Sequence, residues 1–194
     1  VAKALEQHYA SRLEEHATEL AEHFAHSSTE EDLRKAVQYG DLAATRAAGV
    51  YAHGEAARLL EQALQVQDVL DPNDDAKRYD LLNALADALL YAGEPKRVSD
   101  GIAPEMFAIA ERLGDSARAA YSAGLVAESL VRQDAGPVFA TPEWVLWGER
   151  MRKHAEPDSG QMIVADINAA WTHYANRHLR EYWVSVEAAL APAR

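Results

Sequence analysis

His16, His23 and His26 stand among Glu15, Glu19 and Glu22 in the stretch EEHATELAEHFAHSS, residues 14–28. Imidazole nitrogens and carboxylate oxygens at short helical spacing are donors that zinc accepts. Glu19 and His23, four residues apart, would share a helix face and could share an ion. A third ligand is harder to supply from the same helix, and no His-Glu-x-x-His arrangement occurs. Wound at about 100° per residue, Leu13, Ala17, Leu20, Ala21 and Phe24 form one stripe. Glu15, Glu19, Glu22, His23 and His26 fall opposite it, with His16 near the edge. The pattern is an amphipathic helix over 13–26 with a wetted charged face, and no metal is expected on it.

Other chemistry finds little support. The chain has no cysteine, which excludes disulfides, thiolate zinc sites and cysteine nucleophiles and points to a reducing cytoplasm. No Gly-x-Ser-x-Gly elbow and no Gly-x-x-x-x-Gly-Lys-Ser/Thr loop occurs, so neither a serine hydrolase nor a phosphate cradle is indicated. Glu128, Asp166 and His173 are acid–base residue types, but nothing in their spacing selects them. Asp166 and Asn168 interrupt an otherwise apolar helix, where they would cap a neighbouring turn or line a groove. No catalytic residue, cofactor or metal is expected.

The aromatic residues are more informative. All four tryptophans, Trp144, Trp147, Trp171 and Trp183, follow residue 143. Trp171, Tyr174 and His178 recur at helical spacing, as do Trp144, Trp147 and Met151. Aromatic stripes usually pack into a core. The functional alternative is a groove of Trp144, Trp147, Trp171, Tyr174 and His178, beside the Pro-containing loop 134–143, that anchors a peptide, a helix or a small effector.

The elements that must position these side chains are helices. Of the 194 residues 48% are hydrophobic, enough for one substantial core or an elongated array. Alanine is common and β-branched residues are sparse, which favours closely packed helices over sheet. Thr29 caps an expected helix over 29–49, and others follow over 52–70, 76–92, 104–113 and 116–133. Thr141 and Pro142 start one that runs to about 155, and two more cover about 161–176 and 178–190. Between them lie breaks at DPND (71–74), a less regular EPKRVSDGIA (94–103), the long loop 134–143 and EPDSG (156–160). The result is about nine helices and no strand, turning every 17–20 residues or so, the rhythm of paired antiparallel helices.

Charge narrows the partners. The net charge is −12; residues 1–100 carry 10 Lys/Arg against 19 Asp/Glu, and residues 101–194 carry 9 against 12. Such a surface repels phosphate backbones, so no direct nucleic-acid binding is expected, and the basic RMRKH at 150–154 reads as a solvated helix end. No apolar run approaches the roughly 20 residues that span a bilayer, so no membrane partner is expected. The start on Val1 and the end on EAALAPAR read as the limits of a piece cut from a longer protein.

The helix pairs carry a recognisable pattern. Over 37–70, Ala44 stands at the small crossing position of a first helix, and Ala56, Leu60 and Ala63 form the small–large–small trio of a second. This resembles the 34-residue tetratricopeptide repeat (TPR). Ala86 and Gly93 match the first helix of a second repeat, and later segments match only as helix pairs. The combination ELAEHFAHS…KAVQYGDLAATRAAGVYAHGEAARLLEQAL is similar to the helical segment that follows the ATPase module in large bacterial signalling proteins. These include LuxR-type transcriptional regulators and proteins with class III nucleotide cyclase domains; the resemblance covers about residues 10–70.

The resemblance implies an all-α, TPR-like α-α superhelix, a right-handed solenoid forming a single domain over 1–194. It also implies a non-catalytic regulatory role in a cytoplasmic multidomain protein, exercised through a protein or peptide partner or other domains of the parent chain. The acidic N-terminal half should favour basic partners and make association salt-sensitive. The alternatives are a small-molecule effector sensor with a pocket between the C-terminal helices, and a structural oligomerisation arm that forms a homodimer.

Overall fold

A computed structural model describes residues 1–191; residues 192–194, at the end of the single domain expected over 1–194, lie outside the described residues. The chain divides into two compact units, one of residues 1–93 and one beginning at Glu94. Among the described residues all regular elements are helical, so the fold is all-α as expected.

The first unit contains α1 (Ala2–His8), α2 (Ala17–Ala25), α3 (Glu30–Gly49), α4 (His53–Leu70) and α5 (Asp75–Tyr91). α3 begins where the sequence places it: Thr29 Oγ1 accepts the Asp32 backbone N–H, and Glu30, Glu31 and Asp32 complement the helix dipole. It ends in a Schellman motif, with Ala52 N–H donating to Ala47 O at 2.9 Å and Tyr51 N–H to Ala48 O at 3.0 Å. The left-handed residue of that motif is Tyr51, at φ 62°, a position that glycine usually fills. Asp74 Oδ1 accepts from Lys77 N–H at 2.9 Å and starts α5.

Small residues set the packing. At the α3–α4 crossing a methyl group added to Gly40 would lie 3.2 Å from Ala63 Cβ, closer than ordinary contact, so an alanine there would require Ala63 to give by a few tenths of an ångström. Ala44, Ala56, Leu60 and Ala63, the positions picked out by the repeat pattern, are all buried. α4 packs against both α3 and α5, which accounts for the breadth of its apolar face. On the other side of α3, Leu20 and Phe24 of α2 pack on Ala36, with Leu5 of α1 and Tyr9 against them.

The helix expected over 13–26 is shorter. Its first residues are turns, and α1 precedes it. α1 is fastened to α3 by Glu6, whose two carboxylate oxygens accept from Lys35 Nζ at 2.6 Å and Tyr39 Oη at 2.7 Å.

The second unit contains α6 (Pro95–Arg97), a π-helical turn (Val98–Ile102), α7 (Ala103–Leu113), α8 (Ser116–Gln133), a 3-10 turn (Pro137–Ala140), α9 (Pro142–His154), α10 (Gly160–Ala175) and α11 (Leu179–Leu190). EPKRVSDGIA, expected to be irregular, is therefore mostly helical. The wide π turn brings Val98 and Ala103, five residues apart, to full burial together, whereas a 3.6-residue period would separate them. Asp115, Thr141 and Ser159 cap α8, α9 and α10 by accepting from Arg118, Trp144 and Met162 N–H. At the α9–α10 contact a methyl group at Gly148 would overlap the Asn168 amide.

The Glu6 cluster gives the first unit a pH dependence. Burial pushes the Glu6 carboxyl up, but the hydrogen bonds from Lys35 and Tyr39 and the charges of Lys35 and Lys3 outweigh it and hold it below 4.5. The Lys35 ammonium is raised by its bond to Glu6, and burial followed by the bond to Glu6 takes Tyr39 to about 12. A lowered carboxyl stabilises the fold above its unfolded value and loses that effect as pH falls through its folded value. Replacing Glu6 with alanine is expected to cost about 1 kcal/mol near neutral pH. In thermal melts the gap between wild type and Glu6→Ala should close on acidification below about pH 4.

Candidate functional site

The structure separates the aromatic residues that the sequence groups together. Trp144 and Trp147 of α9 are 5% and 6% exposed and belong to the core. Trp144 Nε1–H donates to Thr172 Oγ1 at 3.0 Å and to Asn168 O at 3.3 Å, which ties α9 to α10. Trp147 stands edge-on to Phe107 of α7 at 5.4 Å, and the Arg150 guanidinium lies 4.4 Å from the Trp147 ring centre. Trp171 and Tyr174 of α10 are exposed and 5.9 Å apart, with Trp171 stacked on Phe139 at 4.9 Å. His178, exposed at the start of α11, lies 6.2 Å from the His173 ring.

The five residues therefore do not share one groove. All lie on or beside α9–α11, but neighbouring helices cover the α9 tryptophans and leave those of α10 open. Trp171 instead borders a shallow depression of about 250 Å³ between α10 and α11, together with Ile163, Ile167, Tyr182, Val186 and Leu190. α11 buries no side chain, and Leu179, Trp183, Val184 and Leu190 are each at least half exposed.

Two of the three acid–base candidates, Asp166 and Glu128, are held in ion pairs. Asp166 is buried against Arg152, whose Nη2 lies 2.5 Å from its Oδ1, and Glu128 pairs with Arg132 at 2.7 Å. His16 stacks face to face on Tyr9 at 3.5 Å, while His23 and His26 are exposed. Among the described residues no group of three His, Asp or Glu side chains is placed to hold a metal ion. No helix there is long and apolar enough to cross a membrane.

A different site lies in the first unit, away from the aromatic residues. α3 and α5 run the same way on either side of α4, because both links between them are short. They form the walls of a groove of about 300 Å³. Ala44 and Ala48 come from α3, Ala56 and Leu60 from α4, and Ala84 and Ala88 from α5. Asp41, Thr45 and Asp87 add polar groups to these walls.

One end of the groove is aromatic. The His53 ring stacks on Tyr91 at 5.0 Å, and Tyr51 stands nearly perpendicular to His53 at 6.2 Å. The other end is fixed by Lys77 Nζ, 3.1 Å from Asp41 Oδ2. A sequence signal existed: Ala-x-x-x-Ala recurs at 44–48 and 84–88, placing two small residues on one face of each wall helix.

The burial of the tryptophans is directly measurable. Trp144→Ala should cost about 3–5 kcal/mol in urea unfolding, because it opens a cavity in the core. Trp183→Ala, on a solvent-facing helix, should change stability by less than about 1 kcal/mol.

Comparison of the chain with protein-family models, with curated proteins and with solved structures gives no match.

Proposed function

We propose that this chain is a non-catalytic interaction module, a TPR-like helical region of a cytoplasmic bacterial signalling or transcriptional regulator. It takes up a peptide or protein segment in the groove between α3 and α5. The observation that carries this reading is the groove itself. Two same-sense helices present alanine walls across a third helix, which leaves a channel open to solvent and wide enough for side chains of a docked segment. The residue pattern of 10–70 supports the same class.

The mechanism is recognition. A segment gripped by both α3 and α5 favours one spacing of the two helices over others, and differential affinity of that kind shifts a conformational equilibrium. In a stack of helix pairs, a change of spacing at one pair alters the curvature presented to neighbouring domains.

The test is selection from a random-peptide phage library on the immobilised full chain. Recovered clones should share a motif, and the corresponding synthetic peptide should bind the chain in solution. Ala84→Trp, which fills the groove from a half-exposed wall position, should weaken that binding at least about tenfold, equivalent to about 1.4 kcal/mol, with the helical circular-dichroism signal unchanged. A peptide that binds the Ala84→Trp chain equally well would remove the groove from the proposal.

A further inference from the structure

We propose that two copies of this chain associate through α10 and α11 about a two-fold axis, the Trp183 ring of each copy entering the hollow between those helices in the other. The inference does not depend on the α3–α5 groove. It rests on the polarity, shape and charge of one face of the second unit.

α10 is turned inside out. Asp166 and Asn168 are buried, while the exposed residues between Gln161 and Tyr174 are Val164, Ile167, Trp171 and Tyr174. Their spacing of three or four residues makes one stripe. α11 adds Leu179, Trp183 and Leu190 at the same kind of spacing, each more than half exposed. Tyr182 joins the two stripes, its ring 5.7 Å from Tyr174 and 5.2 Å from Trp183. Apolar residues scattered singly on a surface are ordinary, whereas a contiguous patch on two adjacent helices marks an association surface.

The area suits a second copy. Trp171, Tyr174 and Trp183 are 42%, 55% and 60% exposed. Aromatic side chains bury about 150–250 Å² each, so these three leave about 250–400 Å² open. The four aliphatic members add roughly 100–250 Å² on the transfer scale. Two copies face to face would therefore cover about 700–1,300 Å² of apolar surface, around the threshold of about 1,000 Å² for a specific interface. An interface of that size holds a weak dimer, dissociated at the dilution of an unfolding experiment, so monomer stability and association are read separately.

The face is complementary to itself. The hollow lies where α10 begins and α11 ends, bordered by Ile163, Ile167, Trp171, Val186 and Leu190. Trp183 lies nearer the other end, where α11 begins. A two-fold axis between them sets each ring over the opposite hollow, the isologous arrangement of most dimers. At about 250 Å³ the hollow is smaller than the cavities of about 300–1,000 Å³ that hold small-molecule ligands, and it suits one large side chain.

Charge agrees with that register. Arg180 and Glu187, both exposed, stand seven residues apart on one side of α11. Antiparallel pairing brings the Arg180 end of one copy toward the Glu187 end of the other, and rim charges of opposite sign fix register. Residues 101–194 carry a balance of −3 against −9 for residues 1–100, so two acidic chains meet where repulsion is smaller.

Sedimentation equilibrium of the full chain over a concentration series decides the matter. The mass should rise from 21.3 kDa toward twice that value. Trp183→Glu and Ile167→Glu should each weaken association at least about tenfold, with the helical circular-dichroism signal unchanged. Val184→Glu, equally exposed on α11 but off the stripe, should leave association as in wild type. Arg180→Glu should weaken it severalfold, and adding Glu187→Arg should restore it. A mass that stays at 21.3 kDa up to about 1 mM, where even a weak specific dimer is populated, overturns the proposal. So does a dimer indifferent to both Trp183→Glu and Ile167→Glu, which places the interface elsewhere. A dimer lost in those variants but unchanged by Arg180→Glu overturns the antiparallel register.

Discussion

Packed helices lie about 8–10 Å apart, and the short end of that range is reached only where neither places a large side chain at the contact. In the first unit that condition is met at Gly40 and Ala63, where an added methyl group would lie inside ordinary contact distance. The close approach of α3 and α4 fixes where α5 can pack on the opposite flank of α4. The same smallness has a second effect at Ala44, Ala48, Ala84 and Ala88. There the wall helices do not meet, and short side chains leave the space between them unfilled. The second unit uses the rule once more, with Gly148 admitting the Asn168 amide at the α9–α10 contact.

Helix ends are set by a separate, local chemistry. Thr29, Asp74, Asp115, Thr141 and Ser159 each accept a backbone N–H in the first turn of the helix that follows. Such caps contribute about 1 kcal/mol each and mark where the helices begin. Exposed ion pairs such as Arg58–Glu55 and Arg132–Glu128 decorate single helices and add little stability. Long-range order comes instead from buried contacts and from the few polar groups that join separate elements, with Glu6 between Lys35 and Tyr39 the most developed.

Fold class and most boundaries were legible because capping residues and apolar periodicity are local. Ser116–Gln133 and the caps at Thr29 and Thr141 match their expected places. The π turn at Val98–Ile102 was not legible, because one extra residue per turn breaks the period that reveals a helix. α1 was missed because its docking depends on Lys35 and Tyr39, about thirty residues away. The aromatic groove failed for another reason. Trp144 and Trp147 have the same type and kind of spacing as Trp171 and Tyr174, and only the presence of a covering helix separates core from surface. The alanine groove was missed because an alanine on a helix face reads as close packing, and whether a partner fills the gap is a tertiary fact.

α11 rests on α10 and sinks none of its own side chains completely. An element that sinks no side chain completely gains less from burial than a helix of the core, so its release costs less. Its inner neighbour carries Asn168 and Thr172, the two acceptors of the Trp144 indole. Fraying that begins at α11 therefore has a natural stopping point, because the next step inward must break the Trp144 anchor.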